Sequence, residues 1–388
     1  MLLFKGENGQ GKSNLLEAIY LLAIAKSARA SADRELVRKQ SISADTYTRV
    51  AAEVDRDGDS LRLQVDFQSR LTSPSNTEPS GEDDSPSYMD SISVQKFFRV
   101  NGAPRRASGL IGQLNAVMFS ADDLDLIYGS PSVRRRYLDI LISQLDPKYL
   151  RSLQRYQRIV QQRNHLLKSL RVGSAAPAEL EFWDEELIAE GSCIMAQRIT
   201  TVGRLSEVAG PIHFQLSGKG ETMEVVYRPN VALTGDGTAE SLAQDIRGAI
   251  EDRRGRETAQ GVTVSGPHRD DLQVLVDGMD AGAYASRGQA RTAVLAMKLA
   301  EADYLKEQRG HEPVILLDDV LSELDAGRRV QILEHLRAYQ QTFITTTDLG
   351  SIEARFLSEM RGSLVVDGRV EPMGPDFENE AHPSKEGL

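Results

Sequence analysis

The chain has a single cysteine, Cys193, in 388 residues. An intrachain disulfide and a cysteine-rich metal site are therefore excluded, which fits a reducing, cytoplasmic setting. No stretch approaches the run of about 18 apolar residues that a membrane helix needs, so no membrane partner is expected. Residues 1–4 give way at once to glycines and charge, unlike the basic region and long apolar segment of a secretory signal. A positive overall balance is missing too. The net charge of −11 argues against a protein that coats nucleic acid indiscriminately. Hydrophobic residues at 40% and charged residues at 27% are ordinary for a globular chain. The length allows two or three domains, or one large α/β domain with an insertion.

The charge is unevenly placed. Between Arg134 and Arg171 ten Arg or Lys face only Asp139 and Asp146, a local balance of +8 that leaves −19 for the rest. Such a segment is either a localised anion-binding face or a solvated helix surface paired with nearby carboxylates.

Periodicity divides the chain. After an opening scrap of strand and a glycine loop, "NLLEAIYLLAIAKSARA" is apolar nearly all round, as a helix buried against a sheet is. "YTRVAAEV", "SLRLQVDF" and "KFFRVNGAPRR" alternate as strands, with a hairpin turn at Asn101 and Gly102. Residues from about 69 to 93 are rich in Ser, Pro and acid, and are expected to form a disordered loop. From about Pro131 to Gln260 the pattern is mainly helical. There Leu150, Leu153, Tyr156, Val160, Leu167 and Leu170 mark one helix face, while Arg151, Arg155 and Arg158 form a stripe on another. Beyond Gly261 the α/β pattern resumes. The expected organisation is one α/β lobe made of 1–130 and 261–370, a helical insertion at 131–260 and a disordered tail at 371–388.

Three segments carry chemistry. "GENGQGKS" fits G-x-x-x-x-G-K-[ST] over Gly6, Glu7, Asn8, Gly9, Gln10, Gly11, Lys12 and Ser13. Its glycines let backbone N–H groups converge on phosphate, Lys12 supplies charge to the β and γ phosphates, and Ser13 offers a hydroxyl to Mg²⁺. "EPVILLDDVLSELD" is an apolar run ending in two carboxylates, the pattern of a buried parallel strand whose C-terminal end faces a ligand. Asp318 is then the metal residue and Asp319 the catalytic residue that orients or deprotonates water. "SRGQARTAVLAMKLAEA" opens a helix at Ser286, with Gly288 and Gln289 forming a second anion cradle. One site does not need two cradles from one chain, so the second is expected to serve the ATP of another subunit in a homodimer.

These segments, together with "FSADDLDLIYGSPSVRRRYLD", "SGPHRDDL" and "TFITTTDL", occur in an order and spacing that resembles the RecF family of bacterial recombination and repair proteins. The resemblance implies an α/β fold, a P-loop NTPase of ABC/SMC-head type with an inserted, mainly helical second domain. It implies ATP and Mg²⁺ as cofactors and a weak, DNA-stimulated ATPase used as a switch. It also implies an ATP-dependent homodimer on double-stranded or gapped DNA, acting with RecR and RecO-like mediators in recombinase loading, replication restart and the SOS response. Ser322 to Asp325 correspond to the loop near the dimer seam. The DNA contact is an inference from charge, placed on Arg134, Arg135, Arg136, Arg151, Arg155 and Arg158.

Two departures from the family pattern stand out. Thr346, Thr347 and Asp348 occupy the position where transporters place a switch histidine, leaving the γ-phosphate sensor open. Family members carry about thirty residues before the glycine loop and this chain has five, so a start upstream of Met1, or a fragment, is expected. "SGPHRDDL" is read either as a metal site using His268, Asp270 and Asp271 or as a turn tied down by Arg and Asp pairs, the latter because one His supplies too few ligands. A nucleotide-insensitive DNA scaffold and a transporter ATPase subunit are the alternative functions.

Overall fold

The computed structural model describes residues 1–30, 32–37, 46–56, 58–71, 92–218, 220–374 and 377. Strand β1 (Leu2–Lys5) leads through the glycine loop into helix α1 (Lys12–Ile24). Strands β2 (Tyr47–Arg56), β3 (Asp59–Leu71), β4 (Ile92–Val100) and β5 (Ala103–Arg105) follow as an antiparallel sheet in that order, and β6 (Ala116–Phe119) comes next. With only helices longer than ten residues numbered, the middle of the chain holds α2 (Pro131–Leu145), α3 (Pro147–Arg171), α4 (Glu179–Ser217), strand β7 (Met223–Arg228) and α5 (Ala239–Gln260). The C-terminal part holds β8 (Asp271–Val276), β9 (Met279–Asp280), α6 (Arg287–Arg309), β10 (Val314–Asp318), α7 (Ala326–Leu336), β11 (Thr342–Thr346), β12 (Arg361–Val366) and β13 (Arg369–Pro372).

The central sheet runs β13-β12-β1-β11-β10-β6 and is parallel except for β13. Strands β6 and β10 read as nearly unbroken apolar runs because helices or a second sheet cover both faces. Ile315, Leu316 and Leu317 of β10 have no exposed surface. Helix α1 lies between this sheet and the antiparallel one. Leu16, Tyr20 and Leu21 share a core with Leu63, Val65 and Phe67 of β3 and Leu316 of β10, which explains why its sequence is apolar nearly all round. A separate core gathers Tyr156, Leu187, Ile194 and Ile246 from α3, α4 and α5.

The helical middle runs from Pro131 at the first turn of α2 to the left-handed Gly261 that ends α5. It is nevertheless joined to the ATPase lobe by backbone pairing, since β7 lies antiparallel to β8. Strand pairing also narrows the expected loop at 69–93. Ser69, Arg70 and Leu71 pair with Val94, Ser93 and Ile92, and residues 72–91 lie outside the described residues. The expected tail at 371–388 begins in ordered structure, because β13 reaches Pro372 and Phe377 is buried over Gly362. Residues 375–376 and 378–388 are outside the described residues.

Candidate functional site

Strand β1 ends beside β11, and the chain turns into the glycine loop at the C-terminal ends of the parallel strands. Gly9 and Gly11 adopt φ of 82° and 99°, left-handed values that glycine takes without strain. Gly6 is required for another reason: a Cβ there would lie 2.5 Å from the Val365 carbonyl oxygen of β12. Lys12 opens α1, and its Nζ donates to the carbonyls of Gly6 (2.7 Å) and Glu7 (3.0 Å), so its charge is held inside the curl of the loop.

The carboxylates of β10 meet this loop. Ser13 Oγ donates to Asp318 Oδ1 at 2.9 Å across 305 positions of sequence. Thr345 Oγ1, on β11, donates to the same oxygen at 3.0 Å and accepts from the Asp319 N–H at 3.0 Å. Arg29, in the turn after α1, donates to Asp318 Oδ2. Asp319 has a φ of 55°, a left-handed conformation that few residues other than Gly, Asn and Asp adopt readily. Its Oδ1 is buried with no hydrogen-bond partner among the described residues, a lone pair left to accept from a water or ligand. Hard oxygen donors from Ser13 and Asp318 converging beside a phosphate-type loop fit Mg²⁺ in kind.

Ser286 begins α6 in a capping box. Its hydroxyl accepts from Gln289 N (3.3 Å), and Gln289 Oε1 accepts from Ser286 N (2.9 Å). Ser286 and Arg287 are exposed while Gly288 is half-buried, so this helix start is presented at the surface. Ser322 donates to the Asp319 carbonyl at 2.7 Å, and Asp325 caps α7 through Arg328 N at 2.9 Å. Thr346 Oγ1 donates to the Asp348 carbonyl at 2.9 Å, which commits that hydroxyl to the turn.

The arginines divide into different roles. Arg151 and Arg158 are exposed on α3, whereas the equally exposed Arg155 pairs with Glu186 and Glu190 of α4. Arg134 grips Asp271 through Nε (2.7 Å) and Nη2 (2.9 Å), so it is a structural cation rather than the free DNA contact expected from its charge. Arg135 donates to the Asp270 carbonyl and Arg136 to the Ser27 carbonyl. Both line a cavity of about 820 Å³ whose wall also includes Leu150, Leu153 and Gln157 of α3. Arg163, counted in the basic segment, has no exposed surface and pairs with Asp184 and Glu257. Its register with Tyr156, Ile159 and Leu167 on the apolar face was the available sequence signal.

"SGPHRDDL" is the tied turn. His268 Nδ1 lies 2.7 Å from the Tyr156 hydroxyl and Nε2 lies 3.1 Å from the Thr263 carbonyl. The carbonyl can only accept, so Nε2 carries the proton and Nδ1 accepts from Tyr156. Burial pushes the imidazole down to about 4. Asp270 accepts from Tyr227 and from Asn230 N, and burial raises its carboxyl. Among the described residues no group of three His, Cys, Asp or Glu is placed to hold a metal. Nor is any described helix long and apolar enough to cross a membrane.

Sequence reasoning did not find Arg29, Thr345 or the partners of Gln10 at the turn between β12 and β13. Arg29 and the Gln10 partners reach Asp318 or the loop from distant parts of the chain with no motif to mark them, and Thr345 lies inside "TFITTTDL" without a role assigned to it.

Residues 2–362 match the RecF/RecN/SMC N-terminal domain family. The chain is similar to the DNA replication and repair protein RecF of Chloroflexus aurantiacus, at 42% identity over 95% of this chain and 93% of that one. It is 38% identical to the protein of the same name from Roseiflexus castenholzii, again over 95% and 93%. The solved recombination mediator RecF of the RecFOR pathway, in complex with ATP, superposes with a TM-score of 0.81 at 30% identity, covering 96% of this chain and 91% of that one. The parallel sheet, the glycine loop closed on Asp318 and these likenesses along the chain place it in the RecF family of DNA replication and repair proteins, with a P-loop ATPase fold.

Proposed function

We propose that this chain is an ATP-driven switch in recombinational repair: ATP joins two copies on duplex or gapped DNA, and hydrolysis separates them. The observation that carries this reading is the meeting of Ser13, Asp318 and Thr345 beside the glycine loop, with Asp319 holding an unpartnered buried oxygen next to it. Loop amides and Lys12 bind the phosphates, Ser13 and Asp318 hold Mg²⁺, and Asp319 accepts a proton from or orients the attacking water. Bound Mg²⁺ supplies charge neutralisation on the β and γ phosphate oxygens. Ser286, Gly288 and Gln289, at the exposed start of α6, contact the ATP of a second copy.

Duplex phosphate is held by Arg151, Arg155 and Arg158, with Arg135 and Arg136 contributing from the cleft. The mediators are RecR and RecO-like proteins, which deliver recombinase to the gap, and turnover is slow and DNA-stimulated. Analytical ultracentrifugation and duplex binding, each with and without Mg·ATP, test the reading. Joint gain of dimer and DNA affinity supports it. A monomer at saturating Mg·ATP, or DNA affinity indifferent to nucleotide as the scaffold alternative requires, overturns it.

A further inference from the structure

We propose that Arg29 is a built-in competitor of the divalent cation for Asp318. This rests on the reading that Ser13 and Asp318 form the metal position. The Asp318 side chain is almost fully buried, and protein donors already engage both of its oxygens. Ser13 and Thr345 take Oδ1, and the Arg29 guanidinium takes Oδ2 in an ion pair. Mg²⁺ binds carboxylate oxygen at roughly 2 Å. A guanidinium hydrogen-bonded to the same carboxylate would lie within about 4 Å of that ion, where like charges repel strongly in a partly buried site. The two cations are therefore alternatives.

The surroundings let the side chain leave while its backbone stays. Ser27 Oγ accepts from the N–H groups of Arg29 and Ala30, at 3.0 and 2.6 Å, and donates to Glu17 of α1. The Ser27 carbonyl is held by Arg136 of α2 at 2.9 Å. The turn is thus fastened to two helices. Arg29 Nε also lies 3.8 Å from Asp122 Oδ2, a largely exposed carboxylate that offers a second seat. The consequence is a site that resists free divalent cations and accepts one when phosphate oxygens of a nucleotide share its coordination.

Mn²⁺ titration of the nucleotide-free full chain, read by electron paramagnetic resonance, tests this. Arg29→Ala and the neutral, hydrogen-bonding Arg29→Gln should bind Mn²⁺ about tenfold more tightly than the unmodified chain, the scale of one close charge at a carboxylate. Arg29→Lys should stay near the unmodified value, and Asp318→Asn combined with Arg29→Ala should abolish the gain. Equal Mn²⁺ affinity in the unmodified chain and both neutral variants overturns the proposal, as does a gain that survives Asp318→Asn. A parallel titration with ATP separates the two readings. If nucleotide-dependent Mn²⁺ binding is unaffected by Asp318→Asn, the metal assignment itself fails. If it is lost there but Arg29 has no effect, only the competition fails.

Discussion

Gln10 and Asp367 stand 357 positions apart and touch: the Gln10 side-chain oxygen accepts from the Asp367 N–H at 2.6 Å. The Gln10 carbonyl accepts from the neighbouring Gly368 N–H at 3.0 Å, so the turn between β12 and β13 braces the glycine loop. Gln10→Ala removes one of these bonds and should weaken ATP binding about fivefold, the scale of a single net hydrogen bond. Melting temperature should barely move. Gly368→Ala should act alike, because Gly368 has a φ of 75° that a side chain strains. Calorimetric titration with ATP checks both, and unchanged affinity in both would remove the brace from the binding account.

Lys12 and Asp319 should separate binding from hydrolysis. Lys12→Ala is expected to abolish ATP-dependent dimerisation, while Asp319→Asn keeps dimerisation and prolongs the dimer after ATP is added. Sedimentation of each variant over time reads the difference. Rapid separation of the Asp319→Asn dimer would mean that another group activates water.

Arg163 sits between Asp184 (2.8 Å) and Glu257, all three buried. Arg163→Ala leaves Glu257 buried without a cation, while Asp184 keeps Arg254, and should cost about 3–5 kcal/mol in urea unfolding. Replacing all three residues with apolar ones of similar size should recover most of that loss.

His268 gives a pH signature. Its folded pKa of about 4 lies below the ordinary value, so between roughly pH 6.5 and 4 the unfolded chain binds the proton and the folded chain does not. The stability it supports is fully present above 6.5 and is lost as pH falls through that window, by up to about 3 kcal/mol. His268→Gln should flatten this part of the stability profile relative to the unmodified chain, measured by denaturation at several pH values. Parallel profiles would mean that His268 does not titrate in that window.

The DNA assignment is testable by charge. Removing Arg151 and Arg158 together should lower the salt slope of duplex binding by about two. Arg134→Ala should leave the slope unchanged and reduce stability, because that guanidinium is committed to Asp271.

Much of this was readable in the residues. The glycines, Lys12 and Ser13 announce themselves because phosphate binding demands a fixed local spacing, and the apolar run before Asp318 announces a central strand. Proline at one helix start and glycine at another's end mark where α2 begins and α5 stops. Arg29 and the Gln10 brace were not legible, since their partners lie hundreds of residues away, and Thr345 meets Asp318 only through the pairing of β11 with β10. Arg134 and Arg163 misled for a related reason: a count of charge does not reveal which cations are already spent on buried or half-buried carboxylates.

The position of β1 between β11 and β12 fixes the order in which the molecule can mature. The glycine loop precedes Asp318 and its flanking strands β11 and β12 by most of the sequence. A nascent chain paused before residue 342 has no neighbour on either edge of β1 and no Thr345 beside Asp318. A polypeptide that stops short of β11 and β12 is therefore expected to lack a formed glycine-loop site.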